Sequence, residues 1–281
     1  MNVPITAETI FHIGTFPVTN AFINSTAVTI FFVILAILIG RRIQKIPNKL
    51  QNAFEALLEF LLGYFDQVTH DRAKSKKFLP IVGTLFMFIL ASNWFGLFPG
   101  MGSIGIWQSV DGHAELVPIL RSANSDLNLT LAMALFSVVT SHLFGMFTLG
   151  FFVHLNKFIQ LGTIWKALKS LNPVKILTAV VEFLVGIIEI FSEVAKVVSL
   201  SLRLFGNVFA GEVLITVISG LVAYVVPLPF MAMELLVGVV QATVFSLLVL
   251  VYLTVATDTP HGDDEHEEAK HASTHVPTQA H

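Results

Sequence analysis

Long apolar runs alternate with short polar or basic breaks along most of the chain, and the breaks divide it into helices of two kinds. Residues 23–40 (INSTAVTIFFVILAILIG) form a run of spanning length that stops at Arg41 and Arg42. Over 48–77 apolar residues recur at helical spacing (Phe54, Leu57, Leu58, Leu61, Leu62, Phe65) with Glu55, Glu59 and Asp66 between them. That pattern predicts an amphipathic helix lying on a membrane surface. FLPIVGTLFMFILASNWFGLF (78–98) is a second span, and a loop punctuated by Gly and Pro runs from Pro99 to Asn124. A third span, LNLTLAMALFSVVTSHLFGMFTLGFF (127–152), is opened by Ser125-Asp126 as a helix N-cap, and a basic link holding Lys157, Lys166, Lys169 and Lys175 follows. Trp94 and Trp107 suit a membrane–water interface.

Between Pro173 and Gly220 there is no proline. A helix of that extent measures about 70 Å against a hydrocarbon thickness of about 30 Å, so it must tilt steeply, bend or run partly outside. Pro227 and Pro229 mark a turn, and 230–256 is the last long helix. The expected fold is therefore an all-α integral membrane protein. It has about five membrane-embedded helices and one amphipathic surface helix, the last two long helices forming a steeply tilted hairpin.

Composition agrees: 54% hydrophobic residues, 12% charged and a mean hydropathy of +0.78 over 281 residues leave no room for a sizeable soluble domain. Three segments are expected: an N-terminal segment (1–22), a membrane domain (23–257) and a disordered, acidic, His-rich tail (258–281). The tail reads as solvated chain rather than a metal site. With no cysteine, disulfides and thiol chemistry are excluded. No basic stretch precedes the first apolar run, so no cleaved signal peptide is expected. Lysine and arginine gather at 41–49, 72–77 and 157–175, which all fall on one side if the chain crosses five times. That side is then the cytoplasm, with the N-terminus outside, the C-terminus inside and Arg121 alone among the cations in an outer loop.

Candidate chemistry concentrates in 189–212, EIFSEVAKVVSLSLRLFGNVFAGE. At about 100° per residue, Ser199, Arg203 and Asn207 fall within about 40° of one direction, with Lys196 and Glu189 beside them and Glu212 opposite. A guanidinium near the bilayer centre costs roughly 2.5–3.5 kcal/mol on insertion scales and cannot shed its proton, so something must use it. A carboxylate is the expected partner. Each of these residues also has a plainer reading: Arg203 as a structural ion pair or a snorkelling side chain, Asn207 and Gln241 as interhelical hydrogen-bonding groups. Likewise Glu193 and Lys196 read as an i,i+3 bridge, and His142 as a satisfied core residue outside the site. The chain has no GxxxxGK[ST] phosphate loop, no Ser/His/Asp or metal-ligand cluster, and no basic surface interleaved with aromatics for nucleic acid.

SLSLRLFGNVFAGE (199–212) resembles the signature of the a subunit of F-type ATP synthases, the stator of the membrane sector. SDLNLTLAMAL (125–135) is similar to the start of that family's central span, and MELLVGVVQATVFSLLVLVYL (233–253) to its last helix. The resemblance implies ion translocation through two offset half-channels, coupled to rotation of a ring of c subunits and so to ATP synthesis or hydrolysis. The other partners it implies are b-type peripheral stalk subunits, the remaining ATP synthase subunits and the lipid membrane, in a bacterial plasma membrane. It implies no cofactor, and no nucleotide chemistry by this chain alone. Arg203 corresponds to the essential arginine facing the ring. Asn207 and Ser199 correspond to the cytoplasmic half-channel, Glu189 to a carboxyl near the inner exit, and Gln241 to a glutamine beside the arginine. Glu212, Asp126 and Asn128 correspond to the outer inlet. Glu234 departs from the pattern of members that carry histidine there, so two carboxyls, Glu212 and Glu234, are expected close together and sharing a proton. Two rivals stand beside this reading: an independent secondary transporter whose Arg203 binds an anionic substrate, and a scaffold whose buried charges only fix helix pairing.

Overall fold

The computed structural model describes residues 7–41, 43–97, 105–110, 113–119, 121–151, 173–222 and 225–258. The expected basic link at 157–169 and the His-rich tail beyond Asp258 lie outside the described residues. Six α-helices account for most of the chain: α1 Asn20–Gly40, α2 Lys49–Thr69, α3 Arg72–Gly96, α4 Leu127–Leu149, α5 Pro173–Leu221 and α6 Pro227–Thr257. α1, α3, α4 and α6 are each long and apolar enough to cross a membrane. α5 is a single helix of 49 residues, uninterrupted through its charged middle.

Local chemistry sets most of the boundaries. The Thr19 hydroxyl accepts from the Phe22 amide at 3.2 Å and caps α1, and the Asp71 carboxylate accepts from Ala73 at 2.8 Å and caps α3. Between α2 and α3 the chain reverses at His70, whose φ of 52° places it in the left-handed region. α2 is amphipathic as expected: Leu61, Leu62 and Phe65 are buried while Phe60 and Tyr64 face outward. The basic residues 72–77, read from sequence as the end of the amphipathic helix 48–77, instead form the opening turns of α3, because the chain reverses at His70.

Side chains from five helices meet in one core. Leu200, Leu204 and Val208 of α5, one turn apart, pack against Phe245, Val249 and Leu253 of α6, Phe78, Val82 and Ile89 of α3, Met133 and Ala134 of α4, and Phe65 of α2. α1 stands outside this core, exposing Ile30, Phe31, Ile34 and Leu38.

Two antiparallel hairpins were not foreseen. β1 (Thr9–Ile13) pairs with β2 (Phe16–Thr19) around Gly14, whose φ of 65° makes the tight turn. β3 (Gly105–Val110) pairs with β4 (His113–Pro118), placing strands where the sequence reading has a loop. The missed signal is the Asp111-Gly112 dipeptide between Ile106-Trp107 and Leu116-Val117, a turn pair flanked by strand formers.

The stretch Arg121–Ser125 is buried throughout and is tied to α3 and α1. The Asn124 amide donates to the Ile89 carbonyl at 3.1 Å and to Asn93 Oδ1 at 2.7 Å; Ser122 Oγ donates to the Ser92 carbonyl at 3.3 Å; and Asn24 of α1 donates to the Arg121 carbonyl at 2.7 Å. At the far end of the bundle Lys74 Nζ meets Asp258 Oδ1 at 2.7 Å, joining the end of α6 to the start of α3.

α3 accommodates the buried stretch because Gly96 has no side chain: a Cβ there would lie 2.6 Å from Ser122 Cβ and 2.8 Å from its Cα. Gly96→Ala should therefore lower the thermal midpoint of the detergent-purified protein by the equivalent of about 1–3 kcal/mol. Gly63→Ala, where a Cβ meets nothing within 4 Å, should leave it unchanged or slightly raised.

Candidate functional site

The middle of α5 presents two faces. Leu200, Leu204 and Val208 turn inward to the core, while Ser199, Arg203 and Asn207 are exposed on the other side. This is the stripe that helical spacing predicts. Arg203 Nη2 reaches Ser199 Oγ at 3.5 Å, one turn back on its own helix, and among the described residues it forms no ion pair. Asn207 Nδ2 donates to Gln241 Oε1 of α6 at 2.7 Å. Gln241 is only 4% exposed, so this bond pins the α5–α6 seam one turn beyond Arg203. The predicted glutamine thus sits beside the arginine's stripe, with Asn207 as its hydrogen-bond partner.

Glu212 points elsewhere, as its nine-residue offset from Arg203 requires. Its carboxylate receives Arg121 Nε at 2.7 Å (Oε1) and 3.0 Å (Oε2). Arg121 is 4% exposed and stacks its guanidinium 5.9 Å from the centroid of the Phe209 ring. Sequence reasoning missed this residue, reading it as a loop cation. The available signal was its solitude, the lone Lys or Arg of the segment leading into Asp126. The tethered stretch 121–125 is what drives it into the bundle.

Glu234 is 7% exposed on α6 and lies against the backbone of Gly211, where any Cβ would run into its carboxyl. The two acidic groups therefore flank Gly211: Glu212 is neutralised by Arg121, and Glu234 is enclosed between α5 and α6. Where the sequence suggested a carboxyl pair sharing a proton, the structure gives Glu212 a cation as its immediate partner.

The remaining predicted residues divide by depth. Asp126 accepts from the Asn128 amide at 2.9 Å, acting as N-cap of α4, and Asn128 itself is exposed. Both stand at the same end of the bundle as Glu212. Glu189, half-buried, lies fourteen residues before Arg203, about 21 Å away along α5 toward the opposite end. Ser199, Arg203, Asn207 and Gln241 thus form a central group, with an acidic group at the Asp126 end of the bundle and a separate carboxyl, Glu189, toward the opposite end. Among the described residues no three His, Asp or Glu side chains are placed to hold a metal ion.

The family model described as ATP synthase A chain matches residues 22–254, which include all six helices apart from the two ends. The chain is 30% identical over 244 residues to ATP synthase subunit a of Moorella thermoacetica, covering 87% of this chain and 93% of that protein. It is 31% identical to the subunit a of Campylobacter jejuni over 236 residues (84% and 89%), and 32% identical to that of Mycobacterium ulcerans over 216 residues (76% and 76%). By the extent of these matches, the chain belongs to the ATP synthase A chain family.

Proposed function

We propose that this chain is the ion-translocating stator of an ATP synthase and that Arg203 is the group coupling ion flow to rotation of a ring of c subunits. One observation carries the reading: on a helix with an apolar surround, Arg203 faces outward with a single hydroxyl at 3.5 Å and no ion pair among the described residues. A guanidinium so placed is tolerated in hydrocarbon when its counter-charge comes from a neighbouring protein. The exposed apolar side chains along the same helix, Leu184, Ile188, Phe191, Val198 and Leu202, supply a surface for that neighbour.

The physical problem is to let ions cross only by riding the rotor. Each elementary charge is worth about 2.3 kcal/mol per 100 mV of membrane potential, and a continuous polar path would dissipate it. Two half-channels opening on opposite sides avoid the leak. A rotor carboxyl arriving neutral from lipid releases its proton to one half-channel and is held as an anion opposite Arg203. It then takes a proton from the other half-channel and returns to lipid. The guanidinium carries a fixed charge and offers no acceptor, so it also blocks direct hopping between the two. Lysine would serve poorly, since a desolvated ammonium can lose its proton.

In this reading Glu212, Glu234, Asp126 and Asn128 line the outer inlet, and Ser199, Asn207 and Glu189 the inner path, with Gln241 holding Asn207 in place. The end bearing α2, Lys74 and Asp258 faces the cytoplasm of a bacterial plasma membrane, since the basic segments collect there. The uncovered face of α1 is available to a b-type stalk subunit. Nucleotide chemistry belongs to partner subunits.

In vesicles reconstituted with the complete ATP synthase, Arg203→Ala should abolish ATP-driven pumping while permitting passive proton leak, and retained coupled pumping would overturn the assignment. Glu234→Gln should lower coupled flux without that leak; wild-type flux in the variant would remove Glu234 from the path.

A further inference from the structure

Three side chains that sequence patterning assigns to helix packing come together on the α2 side of Arg203. His142 Nε2 of α4 lies 3.2 Å from Glu193 Oε2 of α5, and the other carboxylate oxygen takes Lys196 Nζ at 2.6 Å. The Lys196 ammonium sits over the Tyr252 ring of α6, 5.2 Å from its centroid. Tyr252 in turn lies within electrostatic reach of both Arg203 and Glu193. Lys196 and Glu193 precede Arg203 by seven and ten residues, about 10 and 15 Å along the helix.

An i,i+3 Glu–Lys bridge is a sufficient account of Glu193 and Lys196 alone, since each neutralises the other. It does not account for a titratable ring brought from a second helix onto the remaining oxygen. Imidazole is the side chain whose ordinary protonation range spans physiological pH. With it, the group passes between net zero and net +1 by gaining a single proton, with the carboxylate always in contact with a cation. Nor is the cluster enclosed within the bundle: the side chains of His142, Glu193 and Lys196 are 25%, 18% and 29% exposed.

We infer that the His142–Glu193 pair is a proton-transfer station between the Arg203 face and the water at the α2 end, with Lys196 and Tyr252 as positioning residues. The inference rests on the reading of Arg203 as the coupling group. A proton reaching Glu193 Oε2 passes to Nε2 of the neutral imidazole, regenerating the carboxylate and forming imidazolium; the imidazolium then releases one N–H proton to water. Return flow in the opposite mode reverses both steps. Among the described residues, Lys196 contacts Glu193 and lies over Tyr252 of α6, Glu189 and Arg203 stand further along α5, and Lys77 of α3 lies 5.7 Å from the centroid of Phe144 on α4.

The test uses the complete ATP synthase reconstituted in vesicles. ATP-driven pumping is measured across pH for His142→Gln and His142→Ala, each with and without imidazole added at the face carrying the ATPase head. Both variants should pump several-fold more slowly and lose an ionisation near neutral pH from the rate profile, and imidazole should restore flux to His142→Ala. His142→Gln retains a hydrogen-bonding side chain toward Glu193, so a role confined to packing would be preserved in it. The inference is overturned if His142→Gln pumps with the wild-type rate and pH profile, or if flux falls with the profile unchanged and imidazole has no effect. Arg203→Ala measured in the same vesicles separates the two readings. Inactive Arg203→Ala beside unaltered His142→Gln removes only the relay, whereas wild-type pumping by Arg203→Ala removes the coupling assignment beneath it.

Discussion

An ion in a medium that cannot solvate it persists only where a counter-charge meets it, and three cations within the bundle meet that condition differently. Lys196 has Glu193 one turn away at 2.6 Å. Arg121, carried in from a loop, has Glu212 at 2.7 Å. Arg203 has the Ser199 hydroxyl at 3.5 Å and faces away from the core that its own helix helps to build. The first two are settled within the chain. The third has no counter-charge among the described residues, and in the proposed function it is completed by a neighbouring protein.

A guanidinium on the outward face of a helix is held in place only if the helix behind it does not yield. Leu200, Leu204 and Val208 pack into a core shared by α2, α3, α4 and α6, giving α5 a fixed inner face. The Asn207–Gln241 hydrogen bond sets the α5–α6 register next to the arginine, and Gly211 lets the Glu234 carboxyl approach α5 closely. A larger residue at 211 would push the helices apart at the point where the acidic groups lie. Small residues here serve approach rather than flexibility, as is general where helices associate without a hydrophobic driving force.

The end of the bundle that bears Asp126 is organised by polar chemistry instead. Asn24, Ser122 and Asn124 donate to the Arg121, Ser92 and Ile89 carbonyls and to Asn93 Oδ1 in a buried patch that fixes the chain entering α4. That patch delivers Arg121 to Glu212. It thereby leaves a neutralised carboxylate and an enclosed one, Glu234, on either side of Gly211.

Helix existence, the amphipathic character of α2, the unbroken course of α5, the N-cap at Asp126 and the outward stripe of Ser199, Arg203 and Asn207 were all legible in the sequence. Each depends on periodicity or on a cap a few residues away, and such information is local. The β3–β4 hairpin was legible too through Asp111-Gly112, though an apolar background masked it. What the sequence could not supply was every pairing across long separations: Arg121 with Glu212, His142 with Glu193, Asn124 with Asn93, Glu234 against Gly211. A loop arginine and a lone histidine look alike whether they face water, lipid or a carboxylate. Only the packing of helices distant in the chain decides which of these surrounds them.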